Sequence, residues 1–320
     1  MPLGAAGPSS VRPTFPSNRS SVVMTLLWRS SLVLVLSVLL LGAGPSRAAD
    51  STTVAVRVMS YNIRYDNPRD SGRVSWTHRR DMVASTIRFH APAVVGTQEG
   101  KLNQLYDLEE RLPAYEWVGV GRRSGGDEFS ALFYRTERLE LLDHHTFWLS
   151  PTPTEPGSRA WGAALPRIVT WARFRDRTTG DSLFVLNTHF DHESAEARLK
   201  SARFIAETVG GWAKGAPIVV MGDLNAEVGS PPYEALTRRG PSAPSHPLRD
   251  AKRVAEQPHY GPVSTFNRFE AAVIPEHRID YILVGPDVAV RRHGHLNVKW
   301  DGVYPSDHLP VLAELVLGAK

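Results

Sequence analysis

Cysteine is absent from all 320 residues. That excludes disulfides, thiolate metal ligands, a cysteine nucleophile and lipid attachment at a cysteine. No low-complexity tract and no repeat at a fixed period breaks the sequence. Acids are missing from residues 1–49, which carry Arg12, Arg19, Arg29 and Arg47. The formal net charge of +4 comes from 37 basic and 33 acidic residues, so without those four arginines the balance is 33 to 33. Bulk charge on the rest therefore selects neither a nucleic acid nor a membrane partner. A membrane-length apolar run is lacking too. Residues 32–41 are apolar except Ser37, well short of the ~20 residues that span a bilayer.

What stands at the N-terminus has the pattern of a secretory signal. Arg29 supplies the positive charge, the apolar run follows, Gly42-Ala43-Gly44-Pro45 breaks it, and Ser46-Arg47-Ala48-Ala49 offers small residues for cleavage. Arg29 has no twin arginine, and Met24 is an alternative start to Met1. The expectation is a cleaved signal over residues 1–49, export of a domain over 50–320, and no transmembrane anchor after cleavage. A domain of that length buries a core that needs no disulfides.

Pattern and punctuation predict strands over residues 54–62, 93–96, 129–134, 139–149, 167–174, 182–187, 217–221, 279–284 and 309–317. They predict helices over 77–89, 102–112 and 194–212, with loops over 150–166 and 241–262. Hairpins beside crossover helices, with no linker between, read as one α+β domain.

The polar residues at the strand ends carry the chemistry: Asn62, Glu99, Asn187-Thr188-His189, Gly222-Asp223-Leu224-Asn225, Arg278-Ile279-Asp280-Tyr281 and Ser306-Asp307-His308. Strands that end in such side chains set them along one rim, where they converge on a hard cation and a phosphate. Glu99 suits Mg²⁺, which keeps several waters and takes one or two carboxylates, and Asp307 is the natural second acid. His308 with Asp280 makes a carboxylate–imidazole pair able to activate water, against the alternative of a core histidine held by a backbone carbonyl. His189 suits a phosphate oxygen or a leaving group. Asp223 and Asn225, two apart, share one face of an extended chain, although such pairs also occur in turns.

In this order the motifs resemble the endonuclease/exonuclease/phosphatase superfamily of deoxyribonuclease I, abasic-site endonucleases, deadenylases, inositol-polyphosphate 5-phosphatases and neutral sphingomyelinases. The resemblance covers roughly residues 54–317, with Gly222-Asp223-Leu224-Asn225 and Ser306-Asp307-His308 most specific. It implies a four-layer α/β/β/α sandwich and metal-dependent attack of water on a phosphoester. It also implies Glu99 as the Mg²⁺ ligand, with Mn²⁺ a substitute, assisted by Asn62 and Asp307. Asp280 and His308 become the orienting acid and its histidine, and Asp223 and Asn225 handle water and phosphate. His189 matches a histidine of the deoxyribonuclease and sphingomyelinase branches. Whether His308 or Asp223 takes the first proton is left open.

Ser60-Tyr61-Asn62-Ile63-Arg64, Phe147-Trp148-Leu149-Ser150 and Asn187-Thr188-His189-Phe190-Asp191-His192 resemble a smaller group of secreted bacterial members. Arg167 is a candidate phosphate contact. Asp191 and His192 either widen the site or cap the helix that follows. Trp148, Trp161 and Phe266 line a pocket or pack in the core. The expected activity is a secreted phosphodiesterase acting on nucleic acid, a phospholipid headgroup or a small phosphate ester, as a monomer without a stable protein partner. A phosphomonoesterase for a sugar or inositol phosphate is the alternative, to be recognised by a smaller pocket and a cationic cluster around Arg167. A non-catalytic binding protein on the same scaffold predicts losses among these groups, and none is lost.

Overall fold

A computed structural model describes residues 54–123, 127–238, 246–269 and 277–318. The expected signal over residues 1–49 lies outside them. In chain order the elements are β1 (Val56–Asn62), α1 (Trp76–His90), β2 (Val94–Gln98), α2 (Leu102–Arg111), β3 (Tyr115–Val118), β4 (Leu132–Arg135), β5 (Leu139–Trp148), β6 (Ile168–Asp176) and β7 (Ser182–His189). There follow α3 (Ala195–Ala213), β8 (Ile218–Asp223), α4 (Pro231–Thr237), β9 (Arg249–Asp250), α5 (Ala251–Val254), β10 (Asp280–Val284), β11 (Val288–His295) and β12 (Val311–Leu317).

The strands form two six-stranded sheets, ordered β11-β12-β1-β2-β4-β3 and β5-β6-β7-β8-β10-β9. Each contains one parallel pair, β1 with β2 and β7 with β8. A parallel pair requires a long crossover, and α1 and α3 provide it. Strands covered on both faces alternate between two apolar environments. In β1, Val58 faces the second sheet while Met59 and Tyr61 pack with Val83, Ile87 and Leu105 under α1 and α2. In β8, Val219 and Met221 join the layer between the sheets, while Ile218 and Val220 pack beneath Ile205 and Val209 of α3. Three apolar clusters thus separate four layers in the order α/β/β/α, the sandwich expected.

The sheets approach closely at Gly96, where a Cβ would lie 2.6 Å from Met221 Sδ and 2.8 Å from the Asn187 side chain. Asn187 uses that proximity. Its amide donates to Thr97 O and Ala131 O at 2.8 Å each and accepts from Gln98 Nε2 at 2.6 Å. This buried amide bonds one sheet to the other.

Several elements depart from the expectations. β3 follows Pro113 as a short edge strand. α4, for which no element was expected, opens on Pro231-Pro232, in the first helical turn where proline is favoured. β11 is hidden because a bulge between Val290 and Arg292 breaks its alternation. The expected strand over 129–134 begins only at Leu132, with Phe129 in an isolated bridge to Gly121. The expected loop over 241–262 carries β9 and α5 in its described part. No helix of the described residues is long and apolar enough to cross a membrane.

Candidate active site

The topology assembles one rim. β1, β2, β7 and β8 deliver their C-terminal ends there, while β10 and β12, antiparallel to β8 and β1, start there. The register sets Asp223 opposite both Asp280 and His189, and Asn62 opposite Gln98. The close approach of β8 to β7 at this rim depends on Gly222. Its φ is +146°, and a Cβ there would collide with the Thr188 carbonyl.

Asn62 is fully buried. Its Nδ2 donates to Glu99 Oε1 and to Asp223 Oδ2, both at 3.1 Å, and its Oδ1 accepts from Arg64 N at 3.0 Å. Glu99 holds a left-handed φ of 66° that turns it off the end of β2, and its Oε2 accepts from Tyr65 N at 3.1 Å. The Asp307 carboxylate lies 3.6 Å from the Arg64 guanidinium. Ser306 Oγ donates to Asn62 O at 2.7 Å, which binds this loop to β1.

His308 Nδ1 lies 2.9 Å from Asp280 Oδ2, and His308 Nε2 lies 3.8 Å from Asp223 Oδ2. Burial works against charge on this imidazole, but Asp280, Asp223 and Asp307 outweigh it and hold its pKa well above the ordinary histidine value. Burial and the neighbouring Asp280 push the Asp223 carboxyl up to about 7, with His308 opposing them. Asp307 is raised as well, by burial and by Glu99. His189 is pulled the other way by burial and by Arg167 and Arg122, so its ring is neutral.

Asn225, at φ 45°, donates its amide hydrogens to His189 Nε2 at 3.0 Å and to Phe190 O at 3.1 Å. The amide thus has only its Oδ1 left to offer, an acceptor for water rather than a donor to phosphate. His189, accepting at Nε2, positions Asn225 and has no proton at that atom to give.

These groups open into a cavity of about 420 Å³ whose lining includes Glu99, Asp223, Asp307, His308, Arg167 and Arg122. Arg167 is buried at 4 % exposure. Its Nε lies 3.3 Å from Asp191 Oδ2 and its guanidinium 2.8 Å from His192 Nδ1. Asp191 does not reach the cavity. Its Oδ1 accepts from Glu193 N and Ser194 N at the start of α3, and its Oδ2 from Ala164 N. It orders the turn that leads into α3, whose N-cap is Ser194, and holds Arg167. His192 is half exposed and lines the cavity. Trp148 does not. Its indole is buried and donates to Arg122 O at 2.8 Å, because β5 ends beneath that loop. Trp161 is also absent from the lining, whereas Phe266 belongs to it and sits 4.8 Å from the His308 ring.

Arg122 and Glu128 escaped the sequence reading. They flank a Gly-rich loop without periodicity, and their Nη2–Oε1 bond of 2.8 Å closes it. Burial and Glu99 raise the Glu128 carboxyl to about 7.

The donor set fits a hard divalent cation. Glu99, Asp223, Asp280 and Asp307 stand around Arg64 and His308, and burial first, then the neighbouring carboxylates, raise Asp223 and Asp307. Oxygen ligands of this kind suit Mg²⁺ or Mn²⁺.

A rim of carboxylates and imidazoles over a cation-lined cavity defines a phosphoester-hydrolase type of site. Residues 59–308 match the model of the endonuclease/exonuclease/phosphatase family, and the chain belongs to that family, whose enzymes are phosphoester hydrolases that generally use divalent metals. It is similar to a family member from Bacteroides vulgatus, with 38% identity, TM-score 0.77, and coverage of 82% of this chain and 99% of that one. It is also similar to a mannosyl-6-phosphatase from Bacteroides thetaiotaomicron, with 36% identity, TM-score 0.75, and coverage of 82% and 100%. Among curated proteins it matches Nocturnin of Drosophila melanogaster at 24% identity over 248 residues, 67% of this chain. The match spans only 36% of that relative's length.

Proposed function

We propose that this chain is an exported, Mg²⁺-dependent phosphomonoesterase acting on a small sugar phosphate. The observation that carries the reading is the pair of buried arginines, Arg122 and Arg167, lining the same 420 Å³ cavity as Asp223 and His308. A terminal phosphate dianion needs such fixed cations, and a cavity of this size suits a small ligand. The likeness to a mannosyl-6-phosphatase supports the same substrate class. The phosphodiesterase expected first shares all the catalytic groups and differs only in what the cavity must admit.

Glu99 and Asp307 would hold the cation, with Asn62 fixing Glu99 from behind. When bound, Mg²⁺ supplies charge neutralisation at the phosphoryl oxygens. Asp223 Oδ2, between His189 Nε2 at 3.6 Å and His308 Nε2 at 3.8 Å, is the base for the attacking water. Asn225 Oδ1 orients that water. His308, kept cationic by Asp280, faces the charge that develops and returns a proton to the departing alkoxide. The products are an alcohol and inorganic phosphate. Export rests on the signal pattern over residues 1–49.

The test compares kcat/KM for mannose 6-phosphate, p-nitrophenyl phosphate and bis-p-nitrophenyl phosphate with Mg²⁺ present. Preference for the monoesters supports the reading, and turnover of the diester alone restores the phosphodiesterase.

A further inference from the structure

Away from the active rim, three histidines converge where β11 meets the segment after α5. His293 and His295 stand two apart on β11, so their rings share one face of the strand. His259 comes from the segment 255–262, which runs along β11 through bridges Ala255–Val290 and Tyr260–Gly294. One ring nitrogen of each lies within 4.8 Å of the other two. The segment is pressed against the strand at Gly261, with φ +91°, where any Cβ would collide with the His295 carbonyl.

We propose that His259, His293 and His295 form a second metal site, built for Zn²⁺. The hydrogen bonds set the lone pairs. His295 Nδ1 donates to Pro262 O at 2.8 Å and His259 Nε2 to the same oxygen at 3.1 Å. That leaves His295 Nε2 and His259 Nδ1 as acceptors, in the pattern by which a backbone carbonyl fixes the tautomer of a ligating histidine. His259 Nδ1 faces His293 Nδ1 at 3.0 Å, close to the separation of about 3.3 Å between two nitrogens on a tetrahedral zinc. Among the described residues, Nε2 of His295 has no hydrogen-bond partner although the side chain is fully buried, and a metal there would remove the desolvation cost of that unpaired acceptor.

The ligand chemistry selects the ion. Three neutral imidazoles without a carboxylate or thiolate suit zinc and its late transition-metal neighbours, whereas Mg²⁺ requires oxygen. Burial keeps His293 and His295 neutral, the form a metal needs. Arg278 and Lys252 both act on these rings, and Arg278 is already paired with both oxygens of Asp250 at 2.7 Å each. His293 and Tyr260 border a separate cavity of about 1060 Å³, which gives an ion and a fourth, solvent ligand their route in. Zinc here would tie segment 255–262 to β11 and cover a sheet edge.

The full chain is stripped with EDTA, reloaded with Zn²⁺, desalted, and its metal content measured by plasma mass spectrometry. Four proteins are compared: wild type, Glu99→Gln, His259→Gln and the double variant His293→Gln/His295→Gln. The expected result is one retained zinc per chain in wild type and in Glu99→Gln, with at least a tenfold loss in both histidine variants. Co²⁺ should give the intense visible absorption of a four-coordinate site in the first two proteins alone. His259 is partly exposed, so His259→Gln keeps the test open if the double variant fails to fold. Zinc retained equally by His259→Gln, or by no protein at all, overturns the site.

Discussion

The Asn62 amide donates to Asp223 Oδ2 at 3.1 Å, joining the end of β1 in one sheet to the end of β8 in the other across 161 residues of sequence. The same nitrogen donates to Glu99 at 3.1 Å, so one buried side chain bridges two carboxylates of the rim. Asn62→Ala removes both bonds and leaves two acids facing each other. Hydrogen bonds to charged groups are worth about 1.5–3 kcal/mol each. The variant should therefore lose about 2–4 kcal/mol in urea unfolding and most of its activity. Unchanged stability would mean that the sheets do not depend on this contact.

Asp223 must be ionised to accept a proton from water. Burial and Asp280 hold its carboxyl up to about 7, so the base is protonated in mild acid and freed as pH rises. The logarithm of kcat/KM should climb with unit slope and level off above the ordinary carboxylate range. Asp223→Asn should abolish turnover. A profile flat from about pH 5 to 8 would argue against Asp223 as the base.

Arg167 is held by Asp191 and His192 beside the cavity. Arg167→Ala removes a cation but leaves Asp191 capped by backbone N–H groups. Hydrolysis of a monoester should lose about 10- to 100-fold in kcat/KM, the worth of one charge-assisted contact. A diester, with one negative charge fewer to hold, should lose less. Equal losses on both would remove the charge argument for a monoester.

The metal-free protein should be sensitive to mild acid. Burial, with Arg278 nearby, pushes His293 down to about 2, and burial with His293 does the same for His295. The unfolded chain takes up protons there below about pH 6.5 and the folded chain does not. Stability is thus full above pH ~6.5 and falls by roughly 2–3 kcal/mol per pH unit below it for the two rings together. Denaturant unfolding at stepwise pH checks this. A stability independent of pH between about 6.5 and 5 would show that the rings accept protons in the fold.

The sequence was most legible where one strand end carried one polar group. Glu99 and Asp223 follow apolar runs while Asp280 and Asp307-His308 precede them, and the parallel and antiparallel pairings bring both sets to one rim. Side chains whose role depends on a loop's path were not legible. Arg122 and Glu128 come from a loop without periodicity. Trp148 stands in a strand that reads correctly, yet its indole turns to Arg122 O rather than to the cavity. Asn187, quoted with His189 as one motif, serves the contact between sheets. Strand alternation tells which face a residue takes, but not which neighbour waits there. β11 was lost for a related reason, because its bulge shifts that alternation midway.

The central claim is that Glu99 and its neighbours hold a divalent cation that the hydrolysis needs. Phosphate release from mannose 6-phosphate by wild type and Glu99→Gln, with Mg²⁺ and then with EDTA, tests it most directly. The account predicts turnover by wild type that EDTA abolishes and added Mg²⁺ restores, with Glu99→Gln down by about 100-fold or more at every Mg²⁺ concentration while its unfolding curve stays close to wild type. Phosphate release that survives EDTA, or a Glu99→Gln variant as active as wild type, would contradict it.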